Sequence, residues 1–279
     1  MRGAVTEAPA IDTGQDGFDP REAVTDDAFL GGALAISQPA DGYRAGMDAV
    51  VLAGAVALPD AKSAPRDGIR LLDAGCGVGT VGLALALRAP HARIDLVERE
   101  ADLAKLARHN AIRNGLSERV SVIEADLLRP RARLQPDRYT HAVSNPPFYV
   151  ASDIRSPQNA LRARAHAFGA SDLDAWIAAL HRSLVGRGLL TLIYPAESLV
   201  ALMGALGAKA RFGAVQVVPV YSRDDGRSAR RVLIQACKGS RAPSILRPPL
   251  YLHETGAHAF REDVRRVMTG PAALDIWDR

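Results

Sequence analysis

The chain has 279 residues, 48% of them hydrophobic and 5% aromatic, enough apolar mass for a sizeable core filled mainly by Ala, Val and Leu. The formal net charge of +4 is mildly basic and does not by itself mark a nucleic-acid binder. No apolar run is long enough to span a bilayer. The amino terminus lacks the basic-then-apolar order of a secretory signal. Cys76 and Cys237 lie far apart in sequence and are expected to be reduced thiols in the cytoplasm.

Residues 1–27 are rich in acids and lack apolar periodicity, which predicts a disordered acidic tail. AVVLAGAVAL, starting at Ala49, predicts a buried helix. From Ile69 onward strands and helices alternate. IRLLDAG, ARIDLVE, RVSVIEAD, THAVSN and RGLLTLIYP are the expected strands. TVGLALALRA is an expected helix between the first two of them. READLAKLARHNAIRNG predicts an amphipathic helix, with Leu103, Leu106, Ala107 and Ile112 on its apolar face and Gly115 as its stop. SDLDAWIAALHRSL predicts another, opened by a capping box of Ser171 and Asp174. A further helix follows in AESLVALMGALG. VQVVPV and RRVLIQACK close the pattern as an antiparallel hairpin at the sheet edge. This alternation implies an open α/β sheet, mostly parallel, with helices on both faces.

Ligands of such sheets bind beyond the carboxyl ends of the strands. Three acids fall there: Asp73, Glu98 and Asp126. The first strand runs into DAGCGVGTVG, where Gly75, Gly77 and Gly79 permit tight turning and close approach of a ligand. A helix start follows, where free N–H groups favour an anionic group. The pattern G-x-G-x-G departs from the dinucleotide fingerprint, although Gly82 keeps that reading open. Glu98 is placed to accept ribose hydroxyls and Asp126 an adenine amine, so a nucleoside-containing ligand is expected.

The fourth strand ends in SNPPFYV. Proline fixes its own φ and keeps the preceding residue extended, so Asn145 and Pro146 form a stiff display. A side-chain carbonyl and a backbone carbonyl there can accept both hydrogens of a planar amine. Pro147 completes the turn, and Phe148, with Tyr149 beside it, can stack on a flat base. The alternative is a turn that merely ends a strand.

LLDAGCGVGT, LVERE and EADLL resemble the cofactor motifs of class I S-adenosyl-L-methionine-dependent methyltransferases. The resemblance implies a Rossmann-like seven-stranded sheet with one antiparallel edge strand. It also implies a loop of Gly75, Cys76, Gly77 and Gly79 at the methionine end, Glu98 with Arg99 at the ribose, and Asp126 at the adenine. NPPF resembles the motif of amino-group methyltransferases, which places Asn145 at both amine and cofactor. DAFLGG, GYRAGMDAVVLA and CKGSRAP, taken with SNPPFY, resemble the bacterial tRNA(Val) adenine-N6 methyltransferase family over residues 27–253. That family modifies the adenine beside the anticodon. The resemblance implies a methyltransferase domain over 28–253, a carboxy-terminal extension over 254–279, and Tyr43, Arg44 and Asp48 closing over the cofactor. Gln38 belongs to the same upstream stretch. The basic runs 155–166 and 223–241 suit tRNA phosphates.

Three rivals remain. One is the same chemistry on rRNA guanine N2 or a protein glutamine. Another is a nucleic-acid-binding module with a residual cofactor fold. The third is a nicotinamide oxidoreductase. No His/Cys spacing predicts a metal site.

Overall fold

The computed structural model describes residues 24–41, 44–59, 68–129, 134–146, 170–208 and 212–278. Eleven strands are present among them. β1 (Val24–Phe29) and β2 (Leu34–Pro39) form an antiparallel hairpin of their own. β3 (Ile69–Ala74), β4 (Ala92–Glu98), β5 (Val120–Glu124), β6 (Tyr139–Ser144) and β7 (Leu184–Pro195) run parallel in the main sheet. β8 (Phe212–Tyr221) and β9 (Arg231–Lys238) complete its seven-stranded body, in the order β8-β9-β7-β6-β3-β4-β5.

The expected fold class holds, with one correction. The reversed strand is not at the edge. β9 lies inside the sheet, antiparallel to β7 on one side and β8 on the other. In the hairpin of β8 and β9, β9 takes the inward place: Val232 to Cys237 are all buried, as a central strand covered on both faces requires. Two short strands, β10 (Ile245–Leu246) and β11 (Leu250–Tyr251), extend the sheet by pairing in parallel with β8.

Six α-helices are described: α1 (Met47–Ala55), α2 (Thr80–Arg88), α3 (Ala101–Arg113), α4 (Ala170–Ser183), α5 (Leu199–Ala208) and α6 (Glu262–Thr269). α4 begins one residue before the Ser171 expected to cap it. α4 and α5 pack with Leu72, Leu190 and Ile234 on one face of the sheet. On the other face α1, α2 and α3 share a core with the β1–β2 hairpin and with Val264, Leu274, Ile276 and Trp277. α1 is buried from Ala49 to Ala55, as expected for a helix apolar on all sides. Its outer side is covered by α6 and by Trp277, whose indole N–H donates to the Ala55 carbonyl at 2.6 Å. The segment beyond residue 253 is therefore part of the core.

Two further differences come from tertiary context. Val24–Asp27, expected in the acidic tail, belong to β1, where Asp26 pairs with Arg113 and Asp27 with Arg44. Ile112, expected on the apolar face of α3, is 64% exposed, while Asn110 is fully buried. The buried stripe follows Ala104, Ala107 and Ala111, and Ile112 lies about 100° around the helix from the last of these.

Candidate active site

Chain direction divides at β3 and β6. From β3 the strands step outward through β4 to β5, and from β6 they step the other way to β7. This is the switch point of the sheet, where a crevice opens at the carboxyl ends. Ala74 pairs in register with Ser144. The glycine loop and Asn145 therefore leave the sheet from directly paired residues on adjacent strands, a strand spacing of about 4.8 Å apart. Ser144 reinforces this junction by donating its hydroxyl to the Ala74 carbonyl at 2.7 Å. Trp176 of α4 in turn donates its indole N–H to Ser144 Oγ at 3.2 Å. The same ring explains Gly75: a Cβ there would sit 3.0 Å from it, at a φ of +69°. Trp176 was invisible as a site residue in the sequence, because a Trp on an amphipathic helix reads as core.

The glycine loop is held at several points. The amides of Gly75 and Cys76 both donate to the Val97 carbonyl at the end of β4. The Gly77 amide donates to Glu98 Oε2 at 2.8 Å, while Oε1 of the same carboxylate accepts from the amides of Arg99 and Glu100. Glu98 is 8% exposed, and Oε2 keeps a second lone pair for a further donor. No described heavy atom lies within 4 Å of where a Cβ on Gly77 would stand. An acceptor carboxylate beside open space at a helix start fits the ribose and methionine halves of S-adenosyl-L-methionine.

Asp73 has a different environment. It is 1% exposed, and its Oδ2 accepts the Gly82 amide of α2 at 2.8 Å. Burial, helped by the charge of Glu98, raises its pKa to about 7. Cys76 is also buried, and its thiol pKa is pushed well up by burial and by Asp73 and Glu98, which disfavours the thiolate. Gly82, which kept a dinucleotide reading open, is accounted for by packing: a Cβ would meet Leu96 Cδ2 at 2.1 Å. Asp126 is bound locally, accepting from the Leu128 amide and pairing with Arg129. Arg99 pairs with Glu100.

The upstream segment crosses the same edge of the sheet. Gln38 is buried and joins Asp27 to the Ala45 amide. Arg44 donates to Thr25, to the Pro39 carbonyl and to Asp27. Asp48 pairs with Arg231 at 2.8 Å, at the start of β9. Asn145 is half-buried and Pro146 buried at the end of β6. Tyr43, Pro147, Phe148, Tyr149 and the basic run 155–166 lie outside the described residues.

The second basic run is divided by β9. Arg231 pairs with Pro195 at the carboxyl end of β7, whereas Lys238 pairs with Phe212 at the opposite edge of the sheet. Arg223, Arg227 and Arg230 precede β9 at the site edge; Lys238, paired with Asp137, and Arg241 lie at the far one. A cavity of about 500 Å³ also opens at that far edge, lined by Thr140, His141, Arg187 and the residues after α1, Ala57 to Pro59. Among the described residues, neither the glycine loop nor Glu98, Asp126 or Asn145 lines it. Among the described residues no cluster of His, Cys, Asp and Glu suits a metal ion, and no helix is long and apolar enough to cross a membrane.

Sheet order, glycine loop and strand-end acids together define a class I S-adenosyl-L-methionine-dependent methyltransferase. Residues 55–168 match the family described as the methyltransferase small domain. Over 172 residues the chain is 35% identical to a tRNA1(Val) (adenine(37)-N6)-methyltransferase of Aeromonas hydrophila, covering 61% of this chain and 69% of that one. A protein of the same description from Porphyromonas gingivalis is 31% identical, over 59% of this chain and 63% of its own length. The crystal structure of a predicted O-methyltransferase from Agrobacterium tumefaciens superposes with a TM-score of 0.66 at 32% identity, covering 81% of this chain and 97% of that one. The chain belongs to the tRNA1(Val) (adenine(37)-N6)-methyltransferase family.

Proposed function

We propose that the protein transfers a methyl group from S-adenosyl-L-methionine to the exocyclic N6 amine of an adenine in tRNA, beside the anticodon of tRNA(Val), in the cytoplasm. The reading rests on one observation above all: the in-register pair of Ala74 and Ser144 sends the glycine loop and Asn145-Pro146 out side by side at the switch point.

Bound S-adenosyl-L-methionine supplies an electrophilic methyl on a sulfonium. The loop from Gly75 through Cys76 and Gly77 to Gly79 would hold its methionine half, Glu98 and Arg99 its ribose, and Asp126 its adenine. Asp73 acts one layer behind, holding the first turn of α2 against the loop. Arg44 and Asp48 close the edge from above. Asn145 Oδ1 and the Pro146 carbonyl accept the two N6 hydrogens of the target. That arrangement favours a pyramidal nitrogen and frees its lone pair, which delocalisation into the ring otherwise withholds. Held in this way, the amine nitrogen would be free to take the methyl that the cofactor supplies, and the methylated nitrogen would then lose a proton to water. Positioning in line supplies much of the rate. Pro147 and Phe148 complete the acceptor side, with the ring stacking on the base.

Arg223, Arg227 and Arg230 take tRNA phosphates at the site edge, together with the run 155–166. An anticodon-loop adenine is already partly unstacked, so drawing it into a pocket costs less than from a duplex. The experiment is incubation of the protein with labelled S-adenosyl-L-methionine and tRNA lacking the modification, followed by nucleoside analysis. N6-methyladenosine is expected. Label appearing only on guanine or on a protein glutamine would overturn the substrate.

A further inference from the structure

Among the described residues β2 has one strand neighbour, β1, so the N–H and C=O groups of Ala35 and Ser37 on its outer edge need other partners. α3 supplies them with two asparagines. Asn114 accepts the Ala35 amide at 3.0 Å and donates to the Ala35 carbonyl at 2.7 Å. Asn110 does the same for Ser37, at 2.8 and 2.9 Å. A carboxamide carries the donor and acceptor of a peptide group. Four residues of helix rise about 6 Å, close to the about 6.8 Å between alternate strand residues, so the pair replaces a missing strand. Asn110 lies fully buried within α3, and Asn114, one turn on, is the C-cap residue of that helix.

The two amides differ in their remaining hydrogen. That of Asn114 returns to its own helix, to the Asn110 carbonyl at 2.7 Å. That of Asn110 reaches the Val78 carbonyl, inside the glycine loop, at 3.0 Å. The other anchors of the loop come from the sheet side, at Val97 and Glu98. Asn110 alone of the two asparagines ties it to the hairpin. The hairpin continues through Gln38 and Arg44 into the segment ending at Asp48, across the site edge.

We propose that Asn110 is a positioning residue for the cofactor: through Val78 it sets the glycine loop, and so makes the loop and the β1–β2 hairpin one mechanical unit. This rests on the reading of the loop as the S-adenosyl-L-methionine site. A bond that locks both elements couples them reciprocally, so ligand on the loop tightens the hairpin joint as much as the joint tightens ligand.

Asn114 provides the internal control, because it makes the same hairpin bonds without touching the loop. S-adenosyl-L-homocysteine binding is measured by calorimetry for the full chain, Asn110→Ala and Asn114→Ala, alongside thermal melting. Both variants are expected to lose similar thermal stability. Asn110→Ala is expected to bind about tenfold more weakly, the weight of one buried hydrogen bond, and Asn114→Ala within about twofold of the parent. A second measurement needs no variant: amide hydrogen exchange of the parent chain with and without the ligand. Slowing at the Ser37 amide beyond that at Ala35 is expected. Equal loss of affinity in the two variants, or equal slowing at the two amides, would overturn the inference. No binding by the parent chain would instead remove the cofactor reading, and the inference with it.

Discussion

Asp73 lies near the end of β3 and Asn145 just beyond the adjacent β6, yet their chemistry predicts opposite experimental signatures. Asn145 is proposed to touch the reacting amine, so Asn145→Ala should lower kcat by about 10²–10³-fold, the usual weight of one preorganised polar contact in a transition state. S-adenosyl-L-homocysteine affinity should stay near that of the parent. Turnover within a few-fold of the parent would remove Asn145 from this role. Asp73 instead reports through pH. With a folded pKa of about 7, against 3.8 for the free group, the native state holds its proton more tightly. Its contribution is complete at low pH and is lost as pH rises to about 7. His141 is opposite: burial lowers its pKa from 6.5 to about 4, so its contribution is complete above pH 6.5 and is lost as pH falls through 4. Between pH 4 and 6.5 the two slopes cancel. Asp73→Asn should expose the His141 slope, with unfolding free energy rising by about 1.4 kcal/mol per pH unit there. Denaturant melts across that range check it; parallel pH profiles for variant and parent would refute the assignment.

At the scale of elements, the fit of α2 against β4 and the cover on α1 carry the site. Gly82→Ala drives a methyl into Leu96 and should cost about 1–3 kcal/mol of stability, as overpacking does. Trp277→Ala removes a 5% exposed ring and its bond to Ala55, and should cost about 3–5 kcal/mol in denaturant unfolding. A loss below about 1 kcal/mol for Trp277→Ala would show that the carboxy-terminal segment is dispensable cover. Most strands and helices were legible in the sequence, because short runs with apolar centres, such as β3 and β4, alternate with longer helical stretches such as α2 and α3. The inward place of β9 was not. Local pattern fixes that a strand is buried on both faces, but which neighbours bury it is settled only when all the strands compete for the centre.

On the scale of the whole molecule, charge is sorted by topology. β9 separates the ends of the run 223–241 by about 23 Å, so one basic stretch serves two edges of the sheet. Arg227→Ser with Arg230→Ser should raise the tRNA KM and reduce the slope of log affinity against log salt by about 2. Arg241→Ser should leave both unchanged. Steady-state kinetics over a salt series separates these outcomes, and an equal effect of Arg241→Ser would place the RNA across the far edge.

The sequence by itself determined the chemistry: glycines that turn, acids at strand ends and a proline-stiffened asparagine are local features, encoded within a few residues of each other. Its resemblance to a family of tRNA methyltransferases is the ground for the proposed substrate. Only the tertiary structure decided which partners the polar side chains take. Asp73 turned to the Gly82 amide, Asp48 to Arg231, and Asn110 to both Ser37 and Val78. Those pairings join residues up to 183 positions apart. Such contacts are fixed by the packing of whole elements, and no local pattern records them.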